Sequence, residues 1–212
     1  KQREIIYERR NEILDKDSIR DRVLDTFKTY VQDQINVHIP PEGYLTDNDI
    51  NNIIEHFNAH LLKSKKLTKE DFKDKSNEEI VDTIYNIVVE DYNKKLEDVP
   101  KEIQDDFEKS ISLRIIDKNW MDQLDAMEAL KEGVGLRGYA QSNPLQVYAL
   151  EGFELFDKMM ATISAEISTY LLNAEVRQNI ERKEVAKNIR TNDGKESVKS
   201  TPKKAQAKIG RN

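Results

Sequence analysis

Apolar residues recur at helical spacing along most of the chain, and the longest such stretch covers residues 113–174. In its first half the apolar residues follow each other at steps of three and four, which places them on one face of an α-helix. They are Leu113, Ile116, Trp120, Leu124, Met127 and Leu130. In its second half the steps alternate strictly between three and four, the spacing of a coiled-coil seam. These residues are Phe153, Phe156, Met160, Ile163, Ile167, Tyr170 and Ala174. The pattern predicts two long amphipathic helices.

A glycine-rich segment, residues 133–139, separates the two stripes. Asn143, Pro144 and Gln146 follow it, and they suit an N-cap, the first helical position and a capping-box partner. Two stripes of similar length with a connection of about ten residues predict an antiparallel helical hairpin. Each arm would have about 30 residues and would be roughly 45 Å long.

The rest of the chain is also patterned as helix. Residues 1–37 carry an apolar stripe with one irregularity at 15–18, which is either a bend or a stop followed by a new N-cap. Pro40 and Pro41 then end the helix, because proline lacks the amide donor.

A second helical unit covers residues 46–63, with Thr46 or Asp47 as its cap. After a polar connector with a short turn near 67–72, a capping box at Ser76 and Glu79 opens another helix, which Pro100 closes. The next helix, the first arm of the hairpin, begins near Lys101. The fold class is therefore all-α: a long scaffold helix and the hairpin, a small helical lobe packed on them, and a disordered C-terminal tail.

Composition narrows the function classes. The 212 residues include no cysteine, which excludes disulfides and cysteine-ligated metal, and no apolar run approaches the roughly 18 residues of a membrane-spanning helix. Residues 1–180 carry a net charge of −12 and residues 181–212 a net charge of +6. The acidic body argues against nucleic-acid binding, and the basic tail is either solvated or in contact with phosphates or anionic lipid. Without an initial Met, the chain is interpreted as a piece of a larger protein.

Candidate chemistry is sparse. His56 and His60 have zinc-ligand spacing on one predicted helix, but no third ligand is evident nearby, which favours ordinary histidines. Gly133, Gly135 and Gly138 match a dinucleotide-binding pattern by letter, but no strand precedes them, and no other phosphate-binding motif is present. No nucleophile has an assigned base. We therefore predict no catalytic, cofactor-binding or metal-binding residue in this chain.

The hairpin tip is the remaining candidate site. Leu136 and Tyr139, with Arg137 between them, would project from the end of a stiff rod, where an exposed aromatic and an aliphatic side chain suit contact with a partner. In the alternative, both side chains fold back onto a neighbouring helix. Trp120 lies on the apolar stripe, which favours a core position over a binding surface.

Several stretches of the sequence are similar to the C-terminal half of the SecA family, the ATP-driven motors of bacterial preprotein translocation. The tip carries Leu-Arg-Gly-Tyr-Ala-Gln, a polar pair and Pro, which is the family pattern. The similar stretches are 2–7, 10–15, 113–122, 126–127, 133–144, 151–156 and 209–212. The last of these resembles the residues that precede the family's zinc knuckle.

The resemblance implies a division of the chain and a set of roles. Residues 1–37 would be the end of the helical scaffold, 42–98 the helical wing, 103–175 the two-helix finger and 176–212 the linker. In the family the finger inserts toward the SecYEG channel and its tip contacts the unfolded preprotein. Carried over to this sequence, the contact residues are Leu136, Arg137, Gly138 and Tyr139, with Tyr139 the main one.

The resemblance also implies what lies outside this chain. ATP and magnesium would be bound by other SecA domains and zinc by the C-terminal knuckle, so the parent would be a protein-translocating ATPase and this fragment alone would not. The other SecA domains would be partners, a homodimer and an anionic membrane surface are left open, and nucleic acid is not expected. Localisation would be the bacterial cytoplasm and the cytoplasmic face of the plasma membrane.

Two other readings remain beside this one. The hairpin could be a structural coiled coil or dimerisation module, in which residues 133–139 are a connector with no client. A metal or nucleotide enzyme is the third reading, and the motifs give it little support.

Overall fold

A computed structural model describes residues 1–39, 43, 45–137 and 143–176, with the backbone alone for 135–137. These residues form six α-helices, a 3-10 turn at Lys69–Phe72 and no strand, which confirms the all-α prediction. The helices are α1 (Gln2–Asp15), α2 (Arg20–His38), α3 (Asp47–His60), α4 (Asn77–Leu96), α5 (Lys101–Arg137) and α6 (Pro144–Asn173). Residues Lys1–Val176 make one compact unit. Of the predicted tail, only Val176 lies within the described residues.

Helix boundaries follow local capping chemistry. The irregularity at 15–18 is a stop and a restart: α1 ends at Asp15, and the amide of Arg20 donates to the Ser18 hydroxyl at the start of α2. Thr46 caps α3 through a capping box with Asp49. The predicted box of Ser76 and Glu79 opens α4, and the Asn143 side chain accepts from the amide of Leu145 at the start of α6.

One hydrophobic core runs through all six helices. At its centre α2 packs against α4, with the rings of Phe27 and Tyr92 edge to face and 5.0 Å apart. On the other side α2 packs against α6, and α6 lies along α5. The largest fully buried side chains are those of Ile6, Ile13, Phe27, Ile35, Ile53, Phe57, Leu62, Ile84, Tyr92, Leu96, Ile116 and Ile163. The core therefore anchors the lower part of both hairpin arms.

The hairpin has the predicted antiparallel arrangement, since Lys118 pairs with Glu166 while Gly152 contacts Met127 further along α5. Its connection, however, is shorter than predicted. Helix α5 continues through Gly133 to Arg137, 37 residues in all or about 55 Å, which leaves residues 138–143 between the arms. Val134 is buried, and its packing offsets the roughly 1 kcal/mol by which each glycine disfavours helix.

Helix α6 ends at Asn173, because Ala174 adopts an extended conformation. The Asn173 side chain donates to the carbonyl of His60 at the end of α3.

The predicted stripes are confirmed only in part, since Ile116, Ile163 and Ile167 are buried but other members are exposed. On α5, Leu124 is 36% exposed, and the fully buried positions between 112 and 123 are Ser112, Ile115, Ile116, Asn119 and Gln123. The reason is that the apolar side of α5 serves two neighbours, because α1 packs on it as well as α6. Arg10 of α1 forms a bidentate pair with Asp117, which shares one side of α5 with Trp120 and Leu124. Trp120 is half-buried against the core.

On α6 the exposed residues are at the two ends of the predicted stripe. Phe153 is 66% and Tyr170 55% exposed. The buried residues of this helix are Gly152, Met159, Ile163, Ser164, Ile167, Ser168, Leu171 and Leu172.

Candidate functional site

The base of the hairpin is held by a buried carboxylate. Glu108 on α5 is 1% exposed, and its Oε1 accepts from Arg20 of α2 at 2.6 Å and from the Tyr92 hydroxyl of α4 at 3.0 Å. The Arg20 guanidinium also lies over the Tyr92 ring, 4.5 Å from its centroid. Burial, followed by the charge of Glu108, raises the pKa of Tyr92 far above its usual value. One carboxylate thus joins three helices where the hairpin leaves the core.

The middle of the hairpin has a polar seam. Asn119 donates to the carbonyl of Ile115 at 3.0 Å and to Glu166 across the seam at 2.8 Å. Lys118 pairs with the same carboxylate at 3.0 Å, and that hydrogen bond raises the pKa of the lysine. One turn further, Gln123 is buried, and its Nε2 has no hydrogen-bond partner among the described residues. Buried polar groups of this kind fix the register of two helices at a cost in stability.

Above the seam the arms approach closely at Gly152. A Cβ built there would meet Met127 Cε at 3.0 Å and lie 3.8 Å from Leu130. On the opposite side, the Gln2 side chain of α1 donates to the carbonyl of Gly152 at 2.9 Å. The beginning of α1 therefore lies level with Gly152, and the hairpin extends beyond it.

At the level where α1 begins and beyond it, the first turns of α6 present large apolar side chains to solvent. Leu145 is 74%, Leu150 62% and Phe153 66% exposed. Sequence reasoning missed the first two and placed the third in the buried stripe. Apolar spacing assigns residues to a face of the helix, but it does not reveal whether another helix covers that face.

The structure describes the predicted contact residues only in part. Leu136 and Arg137 belong to the last turn of α5, and their side chains lie outside the described residues. Gly138 and Tyr139 also lie outside them. The assignment of these four residues as a contact site therefore stays a prediction.

The two histidines of zinc-ligand spacing have structural neighbours. His56 Nε2 lies 3.0 Å from the Tyr30 hydroxyl of α2, and the rings of His56 and His60 are 5.5 Å apart. Burial, followed by the charges of His60 and His38, lowers the pKa of His56. Within the described ranges, no group of three or more His, Asp or Glu side chains is placed to hold a metal ion. None of the described helices is long and apolar enough to cross a membrane.

Fold and geometry together define an all-helical scaffold module from which a two-helix rod extends, anchored at its base and uncovered on part of its outer half. The family model of the SecA wing and scaffold domain matches residues 1–175, so the chain belongs to the SecA wing and scaffold domain family. The family's role is in protein translocation, its members are cytoplasmic and membrane-associated, and membership fits a parent ATPase. The finer division of the chain into scaffold, wing and finger at the predicted boundaries stays a prediction.

Proposed function

We propose that this domain is the part of a SecA-like motor that passes motion from ATP hydrolysis to a preprotein crossing the SecYEG channel. In this proposal the end of the α5–α6 hairpin touches the translocating chain through Leu136, Arg137, Gly138 and Tyr139. ATP and magnesium are bound by other domains of the parent, and this domain holds no cofactor of its own. The protein works in the bacterial cytoplasm and at the cytoplasmic face of the plasma membrane.

The observation that carries the proposal is the contrast between the two ends of the hairpin. The lower arms are packed in the core, with Glu108 and Ile116 buried, whereas Leu145, Leu150 and Phe153 are exposed in the outer part. Burial of an apolar side chain stabilises by about 1.5–3 kcal/mol, so three large apolar side chains left uncovered within nine positions of one helix favour a surface that a partner covers.

A packed helical pair is a suitable lever. Its arms are joined by side-chain packing along the seam and by the Asn119–Glu166 bond, so movement of the base is transmitted to the outer end as a rigid-body displacement. Apolar and aromatic contacts are largely undirected, which suits an unfolded client whose sequence varies. We extend the proposed contact surface from the four tip residues to Leu145, Leu150 and Phe153.

Site-specific photocrosslinking in the full-length parent during translocation tests the proposal. A crosslinker at Tyr139 or Leu150 is expected to capture the preprotein or the channel, and one at the exposed position Asp125, on the shaft of α5, is the matched control. The dimerisation reading predicts capture of a second copy instead. Equal capture of preprotein from Tyr139 and Asp125 would remove the tip as the contact.

The functional counterpart is a truncation of the aromatic ring. Tyr139→Ala is expected to slow translocation by the parent protein while the far-UV circular dichroism and unfolding midpoint of this domain stay unchanged. Translocation at the native rate in that variant would contradict the proposed role.

A further inference from the structure

A cavity of about 520 Å³ lies between α1, α2 and α6, on the side of α6 that faces away from the hairpin seam. Arg9 of α1 lines it, together with polar residues of α2 and, on α6, Asp157 and Ser164. The lining residues Arg22 and Asp33 are eleven positions apart on α2, so the cavity is about 16 Å long. Its size is within the range of ligand sites in proteins. The hairpin-end function does not use it.

Arg9 forms no ion pair with a described residue. Its Nε is buried and has no acceptor among the described residues, and its NH1 lies 3.8 Å from the thioether sulfur of Met160. Burial, followed by the charge of Arg22, lowers the pKa of Arg9 to about 10, and the opposing charge of Glu12 only partly offsets this. Glu12 itself is engaged by Lys16 and Arg22. By contrast, the neighbouring Arg10 is fully paired with Asp117.

Two carboxylates of the same cavity have the opposite imbalance. Asp33 and Asp157 both line it, and neither forms an ion pair with another described residue. Burial, followed by the charge of Asp157, raises the pKa of Asp33. Two carboxylates that repel each other at a partly buried site are stabilised by a cation placed between them.

The two imbalances are close together. Asp157 is three residues from Met160, the residue that Arg9 contacts, which is about 4.5 Å along α6. Acidic and basic side chains three or four positions apart on a helix have a similar separation, because such positions are neighbours on its surface. Charge complementarity therefore favours an occupant that carries one acidic and one basic side chain.

We propose that this cavity is a docking site for a segment of a partner polypeptide, which brings a carboxylate to Arg9 and a lysine or arginine side chain to Asp33 and Asp157. A segment of chain fits better than a compact metabolite because the cavity is elongated along three turns of α2. The native protein keeps charges there that its own fold does not compensate, as expected where binding has been selected at the expense of stability.

The first experiment measures the thermal midpoint of this chain without any ligand. Arg9→Met is expected to raise the midpoint by roughly 2–4 °C, since it removes a buried charge that has no partner. The matched control is Arg10→Met, which is expected to lower the midpoint because it leaves Asp117 unpaired. A lower midpoint in Arg9→Met would show that the fold already compensates this charge, and it would overturn the proposal.

The second experiment is an amide-shift NMR titration with two peptide probes, acetyl-Ala-Glu-Ala-Ala-Lys-Ala-amide and the same peptide with Glu and Lys exchanged. Saturable shifts at α2 and α6 residues of the cavity are expected, with a Kd near 1 mM, for one of the two orders. Arg9→Met and the double variant Asp33→Asn/Asp157→Asn are expected to weaken binding at least tenfold, and the exposed-site control Arg114→Met is expected to leave it unchanged. Equal binding by free glutamate and lysine, equal binding by the variants, or no saturation would each overturn the proposal.

Discussion

Removal of the Glu108 side chain is the sharpest test of how the hairpin base is held. In Glu108→Ala, the Arg20 guanidinium and the buried Tyr92 hydroxyl lose their shared acceptor. Breaking a buried ion pair from one side costs about 3–5 kcal/mol. Arg20 keeps 26% of its side chain exposed and is partly re-solvated, and Glu108 Oε2 already lacks a partner among the described residues. We therefore expect a loss of about 2–3 kcal/mol in the free energy of unfolding.

Urea unfolding followed by circular dichroism at 222 nm measures this loss. Glu128→Ala, at an exposed position on the same helix, is the control and is expected to stay within about 0.5 kcal/mol of the native protein. Tyr92→Phe alone is expected to cost about 1–2 kcal/mol, but much less in the Glu108→Ala background, because the hydroxyl then has no acceptor to lose. If Glu108→Ala unfolds within 1 kcal/mol of Glu128→Ala, or if the two substitutions are additive, the carboxylate does not join these helices energetically.

Four further predictions concern single residues. Gln123→Leu is expected to raise the free energy of unfolding by about 1 kcal/mol, because it removes an unpaired buried amide, and a loss in urea unfolding would contradict this. Gly152→Leu is expected to lower the free energy of unfolding by about 1–3 kcal/mol, because the new side chain overlaps Met127. Burial, followed by the charge of Lys63, lowers the pKa of Lys95 to about 8, so the unfolded chain binds more protons than the folded one between about pH 8 and 10.5. The free energy of unfolding, measured relative to Lys95→Met, should therefore rise with pH across that window. Stability profiles of the two proteins that stay parallel with pH would refute this prediction. The pKa of His56 is lowered from 6.5, so the unfolded chain binds more protons than the folded one as the pH falls through 6.5. The free energy of unfolding relative to His56→Gln should therefore fall as the pH is lowered, as measured by urea unfolding between pH 7.5 and 5.

Sequence alone predicted the features whose causes are local. The capping box at Ser76 and the cap at Thr46, one of the two predicted candidates for α3, both involve residues within three positions of each other, so the local sequence indicates them. The start of α5 at Lys101 follows from Pro100, and the antiparallel hairpin follows from two stripes and one short connection. These signals do not depend on knowing which helices meet.

Features set by distant contacts were not predictable. Asn119 is buried because Glu166, 47 positions away, accepts its hydrogen bond. Continuation of α5 through Gly133 depends on the burial of Val134, which no glycine pattern reveals. For the tip, the glycine-rich connection itself singled out Leu136, Arg137 and Tyr139, and the family likeness added Gly138 and the role in preprotein contact. Apolar spacing would not have singled out Leu145 or Leu150.

The short link between Arg137 and Pro144 limits what the outer end can hold. Two adjacent helices, each about 10 Å across, make an end face roughly 20 Å wide. An extended polypeptide advances about 3.3 Å per residue, so this face spans only about six residues of a passing chain. Under the proposed function, the end face alone therefore covers only about a hexapeptide window of the client, and its contacts must suit nearly every composition that such a window can have.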